Sequence, residues 1–181
     1  MKIIYLICLI IAGVLVTNCG TTIPARDTVE PTFIFHIQGD GLNDDINENF
    51  DFDNKVLYLR RNARYRVVYS IVDSGGLKEM YWELPSSRVI ALSERAGSGI
   101  WTIQNSGSPF RDRYKWTGDS LNPVRNGIVS YRRVDAIGGP LDGTVPNYEM
   151  DFTITDLLGN TTNKTLIVRI TGEQSRIGTR D

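Results

Sequence analysis

The part of the sequence that follows residue 31 predicts an all-β protein, folded as an antiparallel β-sandwich. Short segments rich in β-branched and aromatic residues, such as residues 32–38 and 65–72, are typical of strands. Between such segments lie turns rich in Gly, Asp and Ser, such as residues 73–76. Apolar and polar residues alternate along residues 147–155, as in a strand with one face in a core. No segment has a convincing amphipathic helical pattern, so we expect two packed sheets.

The first residues predict export rather than a folded element. Lys2 precedes an apolar run over residues 3–16, and small or hydroxylated residues follow the run. This pattern is typical of a secretory signal peptide. The run is also shorter than the roughly 20 apolar residues that a membrane-spanning helix needs. The sequence Val16-Thr17-Asn18-Cys19 resembles the lipobox of bacterial lipoproteins, with Asn18 where Gly, Ala or Ser is usual.

The lipobox resemblance implies that residues 1–18 are removed and that Cys19 carries a diacylglyceryl group. We therefore expect a protein of the bacterial cell envelope, held by lipid at a membrane. The outer membrane is favoured, with the domain facing the periplasm or the cell exterior. An ordinary secretory signal and an uncleaved hydrophobic anchor are the alternatives. Residues 19–31 are then the lipidated cysteine and a polar tether, residues 32–171 are the folded domain, and residues 172–181 are a polar, frayed tail.

Charge and cysteine content limit the classes of function. Removal of residues 1–18 leaves 19 basic and 21 acidic residues, a net charge of about −2. Binding to duplex nucleic acid requires a basic face, so we expect no nucleic-acid partner. Cys8 lies in the signal and Cys19 takes the lipid, which leaves no thiol for a disulfide. The fold must therefore depend on its apolar core.

Strand predictions follow along the whole domain. The apolar density of residues 65–72 predicts a central strand, and residues 39–54, rich in Asp, Asn and Gly, predict a loop. Asn126-Gly127 is a strong turn signal that could join a strand starting near Val124 to the next one. Residues 136–146 predict a Gly/Pro loop. The predicted strands are residues 32–38, 56–60, 65–72, 77–84, 88–92, 100–104, 110–116, 127–134, 147–155 and 165–170.

Two segments share one pattern, a strand ending in Asp, a Gly-containing turn and a second strand. They are YRVVYSIVDSGGLKEMYWEL and MDFTITDLLGNTTNKTLIVRI. Together they resemble the B–C and F–G strand pairs of bacterial immunoglobulin-like domains, including cadherin-like and fibronectin-like relatives. This resemblance implies an immunoglobulin-like sandwich in which Asp73 and Asp156 are close in space at one end. The middle of the chain is longer than in a minimal domain of this kind, which predicts extra strands there.

Two acidic groups are candidate metal sites, and calcium is the one cofactor we consider. Calcium takes six to eight hard oxygen ligands, which acidic loops can supply. The pair Asp73 and Asp156 is one candidate, although each could instead cap its own turn. The loop at residues 39–54 is the other, although it could simply be solvated, and Phe50 stands where a calcium loop needs glycine. Its candidate ligands are Asp40, Asp44, Asp45 and Asp51.

Large aromatic residues are candidates for ligand contact. Trp101, Tyr114 and Trp116 could stack on sugar rings, although aromatic residues of an all-β domain more often fill its core. The turns that contain Asp73, and Asp156 with Asn160, are the first candidates for binding a protein ligand.

The sequence carries no recognisable catalytic motif. Its one histidine, His36, lies inside a predicted strand, and patterns such as G-x-S-x-G and H-E-x-x-H are missing. We therefore expect a non-enzymatic binding, adhesion or scaffold module at a membrane, with a protein or glycan ligand. One alternative is an accessory carbohydrate-binding lipoprotein. Another is a carboxylate-dependent hydrolase, since paired carboxylates have no fixed spacing in sequence.

Overall fold

The computed structural model describes residues 27–96, 100–104, 107–138 and 146–180, and these residues form strands, turns and loops. Within them, no helix is long and apolar enough to cross a bilayer. The strands are β1 (Thr32–Gly39), β2 (Leu42–Asn47), β3 (Lys55–Arg60), β4 (Arg64–Val72), β5 (Leu77–Pro85), β6 (Ile90–Ala96), β7 (Ile100–Gln104), β8 (Arg111–Thr117), β9 (Asn126–Ala136), β10 (Tyr148–Asp156), β11 (Thr161–Thr171) and β12 (Arg176–Thr179).

The strands form two sheets. Sheet A has the order β2-β1-β4-β9-β6, and sheet B has the order β12-β3-β11-β10-β5-β8-β7. The pairing of β3 with β11 is parallel, and the other described pairings are antiparallel. The order β1-β4-β9 against β11-β10-β5 corresponds to strands A-B-E and G-F-C of an immunoglobulin-like domain. The predicted fold is confirmed, and β6, β7 and β8 are the extra strands expected in the middle of the chain.

The core lies between the inner faces of the two sheets. Strand β4 is flanked on both sides, and every second residue of its sequence from Tyr65 to Ile71 is buried, which confirms its central position. Aromatic rings from both sheets meet in the middle, with neighbouring centroids 5.3–6.4 Å apart. Such pairs stabilise by about 0.5–1.5 kcal/mol beyond the burial of their area. The rings belong to Phe33, Phe35, Tyr69, Trp82 and Phe152.

The loop prediction for residues 39–54 is wrong over its first half, because residues 42–47 form the edge strand β2. Leu42 and Ile46 point into the core, and the backbone pairs with β1. A tight turn with positive φ at Gly39, Asp40 and Gly41 makes this hairpin possible. An edge strand needs few apolar residues, and β2 has only Leu42 and Ile46. The composition of β2 therefore resembles that of a loop.

Two further predictions need correction. The last residues are not a frayed tail, since β12 pairs with β3 and Ser175 is buried just before it. Asn126-Gly127 does not form the turn of a hairpin. These two residues begin β9, opposite Val72 and Ile71 of β4. Most of the predicted loop at residues 136–146 lies outside the described residues.

One end of the sandwich receives the N-terminal segment, and we call it the tether end. It is formed by residues 27–31, 73–76, 118–125 and 156–160. The hydroxyl of Thr162 donates to the carbonyl of Pro31 at 2.6 Å, and the Asn160 side chain donates to the carbonyl of Asp27 at 3.0 Å. The last five residues of the predicted tether therefore pack on the domain, while Cys19 lies outside the described residues.

Candidate functional site

Three carboxylates meet at the tether end. One oxygen each of Asp27, Asp73 and Asp156 lies within 4.8 Å of the others, and we call this group the acidic cluster. Asp73 directly follows β4 and Asp156 ends β10, and both strands finish at this end of the sandwich. The predicted proximity of Asp73 and Asp156 is therefore confirmed. Asp27 was missed, because an isolated Asp in a polar linker carries no signal of where it docks.

Asp156 is fully buried and caps its own turn. Its Oδ1 accepts the backbone N–H of Leu158 at 2.9 Å and that of Asn160 at 2.8 Å. Its Oδ2 accepts the side-chain amide of Asn160 at 2.6 Å. Asn160 thus holds the carboxylate in place and also ties it to the N-terminal segment through Asp27.

Asp73 is also buried, with 6% of its surface exposed. Its Oδ2 accepts the backbone N–H of Gly76. Burial raises the pKa of the Asp73 carboxyl, the N–H of Gly76 opposes that shift, and the charges of Asp156 and Asp27 add to it. The folded environment therefore disfavours the charged form of Asp73.

Asp27 is the more exposed member of the acidic cluster. Its carboxylate accepts the hydroxyl of Ser74 and, at 3.0 Å, the backbone N–H of Val29. These two hydrogen bonds lower the pKa of the Asp27 carboxyl. Asp27 therefore brings a negative charge to a site that already holds two buried carboxyl groups.

The acidic cluster can do one of two things chemically. Three carboxylate oxygens at this spacing are suitable ligands for a divalent cation. Alternatively, each group serves as a turn cap, because each already accepts hydrogen bonds from its own loop. A catalytic role has less support, since the burial of Asp73 and Asp156 puts both carboxyl groups out of reach of a substrate.

The four acidic residues predicted to bind calcium near residues 40–51 do not form one site. In the described part of the chain, the acidic cluster is the one group of three acidic, His or Cys side chains close enough to share an ion. Each of the four has other partners: Asp40 and Asp51 lie on opposite sides of β2 in sequence, and Asp44 and Asp45 are consecutive residues of this strand. Asp40 accepts from Ser175 and Arg60, Asp44 from the backbone of Asn43, Asp45 contacts His36, and Asp51 accepts from Asn54.

The predicted sugar-stacking residues also separate. Trp116 is fully buried in the core, so it cannot contact a ligand, and this prediction is wrong. Tyr114 is half-buried against the same core. The backbone of Trp101 lies in β7 opposite Trp116, and its side chain lies outside the described part of the structure. An alternation of aromatic and charged residues showed that β8 has two faces, but not which face is covered.

The outer face of sheet B carries a ladder of ion pairs around one tyrosine. Tyr81 of β5 lies beneath the cationic groups of Arg113 and Lys115, 5.4 and 5.1 Å from the ring centroid. Arg113 pairs with Glu83, and Lys115 pairs with Glu79 at 2.6 Å. The hydrogen bond to Glu79 is the main cause of the raised pKa of Lys115. We call this surface the Tyr81 face.

The Tyr81 face continues towards β10 and β11. Arg111 pairs with Asp151, whose other oxygen accepts the hydroxyl of Thr165 at 2.6 Å. Beyond these residues lies a groove of about 530 Å³. It is lined by two aromatic rings, by acidic, amide and hydroxyl groups, and by two basic side chains. They belong to Phe50, Asp51, Phe52, Asp53, Glu149, Asn163, Lys164, Thr165, Ile167 and Arg180.

Comparisons with known proteins give weak structural likenesses. No protein-family model and no curated protein matches the chain. A non-cellulosomal cohesin from the archaeon Archaeoglobus fulgidus superposes with a TM-score of 0.38 and 12% identity, over 65% of this chain and 91% of that one. The collagen-binding subdomain of the Enterococcus faecalis surface protein ACE gives 0.38 and 9%, over 68% and 99%. A cohesin module of a Clostridium perfringens family 33 glycoside hydrolase gives 0.36 and 7%, over 65% and 97%.

Proposed function

We propose that the protein is a lipid-anchored, non-catalytic binding module of the bacterial envelope, and that it binds a protein ligand on the Tyr81 face. The observation that carries this proposal is the ladder of ion pairs around Tyr81. Tyr and Arg are enriched at the centres of protein interfaces, where they supply both apolar area and directed hydrogen bonds. Here Tyr81, Arg111 and Arg113 lie together on one sheet face.

The electrostatics of this face suit a protein partner better than a polyanion. Each basic residue of the ladder has an acidic neighbour, for example Lys115 with Glu79 and Arg113 with Glu83. A partner with complementary charges can exchange these pairs across the interface, which favours specificity and a rate of association that depends on salt.

Anchoring is supported by the sequence and by the position of the N-terminal segment. Residues 1–19 resemble a lipoprotein signal with its cysteine. Asp27, eight residues after Cys19, is fixed at the tether end. The Tyr81 face runs along the side of the sandwich, so an anchor at the tether end leaves this face open to a partner.

Site-specific photocrosslinking in intact cells tests the ligand surface. A photoreactive phenylalanine replaces Tyr81 in one strain, and Gln38 in a control strain. Gln38 is exposed on the outer face of sheet A. We expect one discrete adduct from position 81 and none from position 38. The same adducts from both positions, or none from position 81, would refute the proposed face.

Radiolabelling with palmitate and fractionation test the anchor. The wild type should incorporate palmitate and sediment with membranes, whereas Cys19→Ala should lose the label and leave the membrane fraction. A membrane-bound Cys19→Ala variant would show that the apolar segment itself is the anchor. Protease treatment of whole cells then distinguishes a domain on the cell exterior from one in the periplasm.

A glycan ligand is the second candidate, and the groove beside the Tyr81 face favours it. Phe52 offers an aromatic ring there, and Glu149 and Asn163 offer groups that bind sugar hydroxyls. Glu149 is well exposed, so Glu149→Gln should leave the fold intact. On a glycan array, binding that Glu149→Gln weakens and Tyr81→Ala leaves unchanged would support this candidate. An array without any bound glycan would count against it.

A further inference from the structure

Exposed apolar side chains are concentrated at the tether end. The described residues include nine large apolar side chains that are exposed, and six of them lie in the loops of this end or within three residues of it. Leu121 is 82% exposed, the highest value of the nine. Single exposed apolar residues need no explanation, but a concentration at one end of a domain indicates a contact surface. The six are Val29, Ile34, Val72, Leu121, Ile128 and Leu158.

Three of these side chains belong to loops that pack on one another. The backbone N–H of Leu157 donates to the carbonyl of Gly76 at 2.9 Å, beside Leu158. A Cβ at Gly76 would lie 2.4 Å from Cβ of Pro123, in the loop that carries Leu121. Gly76 is therefore the point where the two loops meet.

Val29 lies beside the same loops. The carbonyl of Asp27 accepts the side-chain amide of Asn160, two residues beyond Leu158. Val29, Leu121 and Leu158 therefore project from adjoining segments, and we call them the apolar tip.

The short distance in sequence between Cys19 and the tether end limits how far the apolar tip can be from a membrane that holds Cys19. Asp27 follows Cys19 by eight positions, which is at most about 28 Å of extended chain. The 11 residues of β11 alone extend about 36 Å along the sandwich. If Cys19 carries the lipid, as the proposed function states, the tether end is held within about 28 Å of the bilayer, whereas the opposite end lies a further strand length from the anchor.

The charges at this end are mixed, so they supply no net attraction to anionic lipid headgroups. Asp73 and Asp156 are buried and hydrogen-bonded, so their carboxylates do not face outwards. Glu30 and Asp119 are acidic and exposed, Lys78 is basic and exposed, and Asp27 and Arg125 are half-buried. Contact must therefore come from the apolar side chains rather than from attraction to anionic lipid, at about 0.8 kcal/mol for each buried methylene group.

From these observations we infer that the apolar tip inserts into the interface of the bilayer that holds the Cys19 lipid. The domain then stands on the membrane with its tether end in contact and its Tyr81 face at the side. This inference rests on the proposed lipid anchor. The surface fits a lipid bilayer as its partner, with a second copy of the chain as the competing occupant.

Fluorescence quenching of the lipidated full-length protein in vesicles tests the insertion. With Cys19 acylated, the mature chain has no other cysteine, so one introduced thiol can be labelled selectively. An environment-sensitive dye is placed at Leu121→Cys, at Leu158→Cys as a second probe, and at Ile137→Cys as the control. Ile137 is 45% exposed at the opposite end. The vesicles contain phosphatidylethanolamine and phosphatidylglycerol, with or without spin-labelled lipid.

We expect the dyes at positions 121 and 158 to shift to the blue and to lose most of their emission when the lipid carries the spin label. The dye at position 137 should keep its emission. Protein that floats with the vesicles but is quenched no more at 121 and 158 than at 137 overturns the inference. A blue shift that grows with protein density, without quenching by lipid, also overturns it, because a second copy then covers the tip. Protein that does not float refutes the anchor itself, which is a distinct result.

Discussion

Replacing Asp73 by Asn should make the protein more stable, although it removes a buried hydrogen-bonded group. In the wild type, the Asp73 carboxylate lies within 4.8 Å of Asp156. Burial of the charged form is the main cost, and repulsion from Asp156 adds to it. At an effective dielectric constant of about 20, two unit charges at that distance repel by at most about 3 kcal/mol. The Asn oxygen can still accept the N–H of Gly76, but a neutral acceptor forms a hydrogen bond weaker by about 1 kcal/mol. The net gain is therefore at most about 2 kcal/mol, which corresponds to at most about 4–8 °C in Tm.

The pH dependence of this gain gives a second check. The pKa of Asp73 is raised in the folded state above its ordinary value of 3.8. Charging Asp73 therefore costs stability at any pH above the raised pKa, and this cost disappears as the pH falls below 3.8. The difference in Tm between Asp73→Asn and the wild type should be largest near neutral pH and should vanish in acid.

Thermal unfolding in EDTA, followed by circular dichroism from pH 3 to pH 8, measures both effects. Asp119→Asn is the matched control, since it removes one charge from the same end. Hydrogen bonds from Asn122 and Leu121 lower the pKa of Asp119, so this control should lose stability instead of gaining it. An Asp73→Asn variant that melts below the wild type at pH 7.5 in EDTA would refute the reasoning that the buried charge of Asp73 destabilises the fold.

Three further predictions concern the same end and the opposite one. A divalent cation held by the acidic cluster would make the wild type melt several degrees higher in calcium than in EDTA, with no such difference for Asp73→Asn; coincident curves for the wild type would exclude the ion. Gly76→Ala should unfold at clearly lower urea concentration, because φ is +94° and the new Cβ meets Pro123. Gly127→Ala serves as control, because the new Cβ would make only an ordinary contact, 4.0 Å from Cγ1 of Val124. Ser175→Ala should cost about 1–3 kcal/mol, since its hydroxyl bonds to Asp40 and Tyr65, and equal melting of this variant and Ser120→Ala would contradict that role.

The central strands were predictable because the apolar residues that are buried in the core recur at every second position of their own sequence. Strand β4 is apolar at every second position, and its limits in the structure differ by one residue from those predicted. The resemblance of two segments to the B–C and F–G strand pairs of immunoglobulin-like domains also implied that Asp73 and Asp156 meet at one end. Periodicity and turn chemistry are local properties, so they can be recognised in a single sequence.

Edge strands were not predictable in the same way. Strand β2 is acidic and β12 has four residues, and both form because a neighbouring strand offers unpaired backbone groups. Ser175, which precedes β12, is held by hydrogen bonds with Asp40 and Tyr65. Both residues are more than 100 positions away in the sequence. The pairing of the edge strands depends on the surface that the rest of the chain provides, which no local pattern reveals.

The sequence by itself determined the class of fold and the central strands, because these follow from periodicity and turn residues. Its resemblance to immunoglobulin-like strand pairs implied the meeting of the two acidic turns. Only the tertiary structure decided the environment of each side chain. In the structure, Asp27 joins the acidic cluster, the four acidic residues between positions 40 and 51 do not share a site, and the side chain of Trp116 lies in the core. The physical reason is that strand alternation separates two faces, while the packing of distant segments decides which face is covered and which carboxylates become neighbours.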